Sequence, residues 1–253
     1  MSPKPLFDRP IAHRGLHDRS RGIIENTASA FEAACQRGYT IECDVQLSRD
    51  GIPMIFHDDD LDRLTGVPGP VSAKTMAELA SYKLLDSAAG DTPQSFSEFL
   101  AQIDGRVLLQ IELKQQPDQA ATEVLAQTVL DALGAYRGAV TIESFDPRLL
   151  VALRKRGAAY PLGIVTYGYD EPEWDSNLAA GTKFMLRHLL HWPQTRFDFI
   201  SCRDNALDLT AVKLFRSFGV PVTTWTIKSS AAALAVMGKA DQIVFEGFEP
   251  KIA

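Results

Sequence analysis

The chain has no uninterrupted apolar run long enough to cross a bilayer, so no transmembrane segment is expected. Its opening, Met-Ser-Pro-Lys-Pro-Leu-Phe-Asp-Arg-Pro, lacks the apolar core of a secretory signal, and export is not expected either. Cysteine is scarce. Cys35, Cys43 and Cys202 are odd in number and share neither metal nor disulfide spacing, which fits small buried thiols and a reducing, cytoplasmic location. Positive charge is in deficit: 26 Lys and Arg against 32 Asp and Glu leave a formal net charge of −6. That argues against a broad nucleic-acid-binding face, because phosphate backbones are held by clustered cations, and any phosphate bound must be met locally. No Gly-x-Gly-x-x-Gly follows a β-rich run, which disfavours the runner-up fold, an open doubly wound sheet.

What is present is the composition of an ordinary globule, 45% hydrophobic and 23% charged over 253 residues. That length suits one (β/α)₈ barrel domain spanning 1–253. Short runs rich in Val, Ile and Phe alternate with stretches of helical spacing, as a parallel sheet covered by helices requires. The β-rich runs are Pro10–His13, Thr40–Asp44, Val107–Glu112, Ala139–Ser144, Leu162–Thr166, Phe197–Ser201, Pro221–Ile227 and Gln242–Phe245. Helices are expected over Asn26–Arg37, Asp118–Leu133, Pro147–Arg156, Leu209–Phe218 and Ser230–Lys239, with Gly38, Gly157 and Gly219 as C-terminal stops. If the arm Ile52–His57 is an excursion after the second strand, eight strands remain, the number that closes such a barrel. Residues 59–94 read as a loop excursion with a short helix near Thr75–Tyr82.

The stretch Thr40–Asp58 sets the centre of the chemistry. Asp50-Gly51 between two β-rich runs is a strong hairpin signal, because a two-residue primed turn needs positive φ. Such a turn puts Arg49 opposite Ile52, Leu47 opposite Met54 and Asp44 opposite His57. Opposed side chains share a face about 5 Å apart, and Glu42 shares it through the two-residue strand period. Two carboxylates and an imidazole are therefore expected to converge among the apolar Ile41, Cys43 and Val45.

In a barrel, ionisable residues that end strands are the candidates for chemistry. The first strand ends in His13-Arg14-Gly15, the second in Glu42-Cys43-Asp44, the third in Glu112-Leu113-Lys114 and the fourth in Glu143-Ser144-Phe145-Asp146; the seventh carries Trp225. Glu42, Asp44 and Glu112 place three carboxylates on adjacent strand ends, which without a counter-ion would have to stay protonated. A hard divalent cation, Mg²⁺ or Ca²⁺, resolves this, since an all-oxygen donor set suits those ions better than zinc. The alternative is a structural ion-pair network in which Lys114 and Arg14 neutralise the acids. His13 and His57 read as a general acid–base pair. Arg14 offers a planar fork to two phosphate oxygens and Lys114 a point charge, so the set describes a phosphoester site. His17, His188 and His191 lack such company and are expected to be solvated or packing residues.

Taken in order, several motifs make the chain resemble the glycerophosphodiester phosphodiesterase family. They are Ile11-Ala12-His13-Arg14-Gly15, Glu25-Asn26-Thr27 with Ala30-Phe31, Glu42-Cys43-Asp44-Val45, and Phe56-His57-Asp58 followed by Leu61-Asp62-Arg63. Ile111-Glu112-Leu113-Lys114, Ser144-Phe145-Asp146 and Trp225-Thr226 complete the set. The resemblance implies a (β/α)₈ barrel, a divalent cation held by Glu42, Asp44 and Glu112, catalytic roles for His13 and His57, and a small glycerophosphodiester substrate. It also implies that a glycerol hydroxyl attacks phosphorus and water then opens the cyclic phosphate, giving glycerol 3-phosphate and an alcohol such as choline or ethanolamine. An internal hydroxyl brings effective molarity to the first step. Asn26 suits an N-cap that also aims a helix N-terminus at the substrate. Trp225 is expected either to stack on glycerol or a head group or to pack in the core.

Two features depart from the family pattern. Phe245-Glu246-Gly247-Phe248 stands where Thr-Asp-x-Pro is usual, and Glu143 is an additional acid at the fourth strand end. The 59–94 excursion is the expected specificity element. Competing readings are a lysophospholipase D with an apolar rim from Phe184-Met185-Leu186, Leu189-Leu190 and Trp192, a non-catalytic phosphoester-binding barrel, and a phosphomonoesterase.

Overall fold

A computed structural model describes residues 6–252. Its strands are β1 (Ile11–Ala12), β2 (Thr40–Leu47), β3 (Pro53–Ile55), β4 (Leu109–Leu113), β5 (Val140–Ser144), β6 (Leu162–Thr166), β7 (Phe199–Arg203), β8 (Val222–Ile227) and β9 (Gln242–Phe245). All but β3 run parallel, and β1 pairs with both β2 and β9, so the expected eight-stranded barrel closes. The antiparallel β3 is the excursion that leaves β2.

Strand alternation builds two environments. Ile41, Cys43 and Val45 of β2, Leu109, Ile111 and Leu113 of β4, and Ile142 of β5 join the outer core beneath the helices. The alternate positions carry Glu42, Asp44, Gln110, Glu112 and Glu143, which thus belong to the opposite face of the sheet. Phe7, Ile11, Phe199 and Val244 form a small cluster contributed by the starts of β1 and β7 and by β9.

The helices follow from familiar signals. Thr27 caps Ala28–Arg37 and Asp118 caps Gln119–Leu133, each side chain accepting a backbone N–H. The helix Phe96–Ile103, not among those expected above, begins with a Ser95–Glu98 capping box. The helix expected near Thr75–Tyr82 is only Met76–Leu79, and Ser230–Lys239 stops at Ala235. The 59–94 excursion has its own apolar cluster: Leu61, Leu64, Val71, Met76, Leu79 and Leu84 pack with Ile24, Met54 and Phe56.

The hairpin corrects the expected register by one residue. Val45, Gln46 and Leu47 pair with Ile55, Met54 and Pro53. The loop has three residues, Arg49-Asp50-Gly51: the Ser48 N–H donates to Ile52 O at 3.0 Å, and only Gly51, at φ 74°, is left-handed. Asp50 keeps its carboxylate for Ser48 Oγ (2.6 Å) and the Met76 N–H (2.9 Å), which the tighter primed turn does not provide for. Asp44 therefore faces Phe56, whose N–H donates to Asp44 O at 3.1 Å.

Candidate active site

The end of β1 turns sharply. Arg14 takes a left-handed φ of 55°, a conformation uncommon for a side-chain-bearing residue. The turn points the Arg14 N–H at Glu42 Oε2 (2.8 Å) and its guanidinium at Glu25 Oε1 (2.6 Å) and Asp44 Oδ2 (3.3 Å). Strand register then lines up the acids: Asp44 is level with Glu112, and Glu112 with Glu143. Glu42, Asp44 and Glu112 each offer an oxygen within 4.8 Å of the others.

Electrostatics separate these groups. Burial first, then the charges of Asp44 and Glu112, push the Glu42 carboxyl well above its usual range. Burial would also raise Asp44, but Lys114 and Arg14 together hold it well below the ordinary carboxylate range. Lys114 Nζ lies 3.2 Å from Asp44 Oδ1 and 2.8 Å from Glu112 Oε1. A further arc runs outward: Glu25 accepts from Arg14 and Arg63, and Arg63 also grips Asp58 at 2.6 and 2.9 Å. With every carboxyl ionised, Glu25, Glu42, Asp44, Asp58 and Glu112 would face three fixed cations (Arg14, Arg63, Lys114), a shortfall of two positive charges that the upward push on Glu42 reflects. Lys114 and Arg14 neutralise the acids only in part. The residues present fit a divalent cation, by donor chemistry and by charge.

Each candidate histidine has its own carboxylate. His13 Nδ1 lies 2.7 Å from Glu246 Oε2, and His57 Nδ1 lies 2.7 Å from Asp58 Oδ1. A carboxylate accepts, so each Nδ1 carries the hydrogen and leaves Nε2 as the basic nitrogen of the neutral ring. Burial lowers His13 below its ordinary value, with Glu246 pulling the other way. The charge of Asp44 also raises His13, and His57 is among the groups that hold Asp44 low. His57 reaches this region although its expected partner in the ladder is wrong. The ladder ends at Ile55, and buried Gln46 donates through Nε2 to Phe56 O (2.9 Å) and Asp58 O (2.8 Å), pinning the chain on both sides of His57. His57, Asp58, Arg63 and Lys114 line a cleft of about 610 Å³.

Of the other residues, some depart from expectation and some keep to it. Thr27, not Asn26, caps the helix; Asn26 sits at φ 55° and donates through Nδ2 to Asp44 Oδ2 at 2.8 Å, next to the acids. Trp225 is half-buried in an aromatic group with Phe145, Tyr167 and Trp174, and its indole N–H donates to Ser201 O at 3.2 Å. Arg203 lies 4.7 Å over the Trp174 ring. Glu143 is 3% exposed, takes a hydrogen bond from Gln110 Nε2 at 2.9 Å, and is pushed up to about 8 by burial and by Glu112. His191 is a buried packing residue, and His188 packs on Phe184. His17, read above as a bystander, stands 3.8 Å from Glu246. Its separation of four residues from His13 gave no sequence signal, because β9 supplies the group between them.

The closed (β/α)₈ barrel gathers these acids, cations and histidines on one face, the kind of site a phosphodiesterase needs. Residues 13–248 match the glycerophosphoryl diester phosphodiesterase family. The chain belongs to that family. It is 26% identical over 240 residues to YhdW of Bacillus subtilis, covering 90% of both chains. Human glycerophosphodiester phosphodiesterase 1 is 24% identical over 241 residues, 87% of this chain and 71% of that protein. The fold is similar to that of an Oleispira antarctica phosphodiesterase in complex with the product sn-glycerol-3-phosphate, with a TM-score of 0.77 at 23% identity, covering 95% and 93% of the two chains.

Proposed function

We propose that the chain hydrolyses glycerophosphodiesters to glycerol 3-phosphate and an alcohol, with a divalent cation, Mg²⁺ or Ca²⁺, at Glu42, Asp44 and Glu112. The observation that carries the reading is the pair of carboxylate-backed histidines beside an acidic group short of two positive charges. When bound, the ion would polarise the phosphoryl oxygens and offset charge that develops on them. His13 and His57 divide the protons: one ring takes the hydrogen of the attacking glycerol hydroxyl at Nε2, and the other protonates the leaving alcohol oxygen. In the second half the roles reverse as water is deprotonated. Arg14 and Lys114 meet phosphate oxygens, and Asn26 holds Asp44 in orientation. Trp225, with Phe145 and Trp174, forms the rim for the substrate's organic end, and the 59–94 excursion that carries the chain on from His57 tunes which alcohols are accepted.

The test is a panel of glycerophosphodiesters assayed for glycerol 3-phosphate with Mg²⁺, with Ca²⁺ and with EDTA. Turnover that needs the metal supports the reading; turnover untouched by EDTA, or tight binding without turnover, refutes it. Lysophospholipase D action is the second reading, favoured by the exposure of Phe184 (58%), Leu190 (54%) and Trp192 (43%). Faster release of choline from lysophosphatidylcholine than from glycerophosphocholine would select it. Among the described residues no helix is long and apolar enough to cross a membrane. A cytoplasmic location accords with the free thiols of Cys35, Cys43 and Cys202.

A further inference from the structure

We propose that His13, His17 and Glu246 form a second cation site, which takes a borderline transition-metal ion such as Zn²⁺ and switches the enzyme off. The switching rests on the role given to His13 above. Each residue offers one donor atom, and the three atoms lie within 4.8 Å of one another. Glu246 Oε2 stands between the rings, 2.7 Å from His13 Nδ1 and 3.8 Å from His17 Nε2. His17 Nε2 is shut off from water and has no hydrogen-bond partner. A buried nitrogen left without a partner is costly, and a metal ion would relieve it.

The donor chemistry separates this site from the acidic one. Two imidazoles and a carboxylate, with a fourth position left for water, suit zinc. Glu42, Asp44 and Glu112 offer oxygen alone and suit hard ions. Ligands about 2.0–2.2 Å from a tetrahedral zinc stand roughly 3.3 Å apart, so the His13 contact opens and the His17 contact closes, each by about half an ångström. Lys228 Nζ holds the other oxygen, Glu246 Oε1, at 2.6 Å and keeps its place. The charges of Lys228 and Arg14 limit affinity, as befits reversible inhibition.

The consequence for the reaction lies in the tautomer. With Nδ1 donating to Glu246, the neutral His13 ring has its lone pair at Nε2. A metal bound through Nδ1 needs the lone pair there, so the single ring proton moves to Nε2. No net proton is lost from the ring. His13 can then no longer accept a proton at the nitrogen left for substrate.

The test uses the full chain, saturated with Mg²⁺ or Ca²⁺, with Co²⁺ as a spectroscopic probe and Zn²⁺ as inhibitor. Wild type should bind one Co²⁺ with the intense visible bands of a tetrahedral nitrogen–oxygen site, and Zn²⁺ should lower glycerophosphocholine turnover at least tenfold, reversed by a zinc-selective chelator. His17→Ala should keep the basal rate but lose the cobalt spectrum and need at least tenfold more Zn²⁺ for inhibition. Glu246→Gln should lose the cobalt spectrum too. Equal zinc inhibition of wild type and His17→Ala, or loss of the cobalt spectrum in Glu42→Gln instead, would overturn the proposal. Absence of turnover before zinc is added would overturn the proposed function alone, since the cobalt spectrum reads the site independently.

Discussion

Among the described residues no cation pairs with the Glu143 carboxyl, which is held by Gln110 Nε2 and Ser201 Oγ among strand interiors. Its folded-state value of about 8 lies above the ordinary 4.5. Between those pH values the unfolded chain gives up a proton that the folded chain keeps, so its contribution to stability is full below about 4.5 and is lost as pH rises to about 8. Glu143→Gln, unfolded in EDTA, should therefore gain roughly 1 kcal/mol or more at pH 8, about 2–4 °C in Tm, and almost nothing at pH 4. Equal shifts at both pH values would contradict this. His13 and His57 each carry a proton in the proposed reaction. Replacing either by Ala should lower turnover by a factor of about 10² to 10⁴ with little change in Tm, the usual magnitude of general acid–base catalysis. Glu42→Gln should behave otherwise: it removes a ligand charge, so activity should return in part at high metal, as a metal titration of initial rates would show.

At the scale of elements, the barrel depends on how strand interiors share space. Gly163 of β6 lies level with Phe199 of β7, and a Cβ there would come within 2.2 Å of that ring. Phe199 is fully buried and packs edge-on against Phe7 at 5.1 Å. Gly163→Ala should cost roughly 1–3 kcal/mol through overpacking, read by denaturant unfolding, and adding Phe199→Leu should recover part of it. A cost that does not change with the ring removed would refute this account. The β2–β3 hairpin shows the limit of local reading. Asp50-Gly51 correctly marks a hairpin, but whether the loop holds two residues or three depends on where Asp50's carboxylate finds donors. One donor is its neighbour Ser48 and the other is Met76, far along the chain, so the register was not a local property.

At the scale of the molecule, the acidic face and the fold are linked. Bringing five carboxylates together against three cations opposes closure of the barrel mouth, and an ion that binds only the folded state stabilises it by mass action. At a hundredfold excess over Kd, Mg²⁺ or Ca²⁺ should add about 2.7 kcal/mol and raise Tm by several degrees, and Glu42→Gln should abolish the shift. A Tm indifferent to both ions would argue against a cation at Glu42, Asp44 and Glu112.

The sequence by itself determined the barrel, because eight short apolar runs separated by capped helical stretches have few ways to bury both faces of a parallel sheet. It also determined that Glu42, Asp44 and Glu112 share one face of adjacent strands and that His13 follows the first strand, since the two-residue strand period is local; it ended the second strand at Asp44, whereas β2 runs on to Leu47 through its pairing with β3. Only the tertiary structure decided what those groups touch. Glu246 backs His13 across the closing β1–β9 pair, Gln46 steers His57 toward the mouth, Asn26 braces Asp44 instead of capping a helix, and His17 joins Glu246. Each contact joins residues from separate elements of the chain, and the distance between such residues is set when the barrel closes.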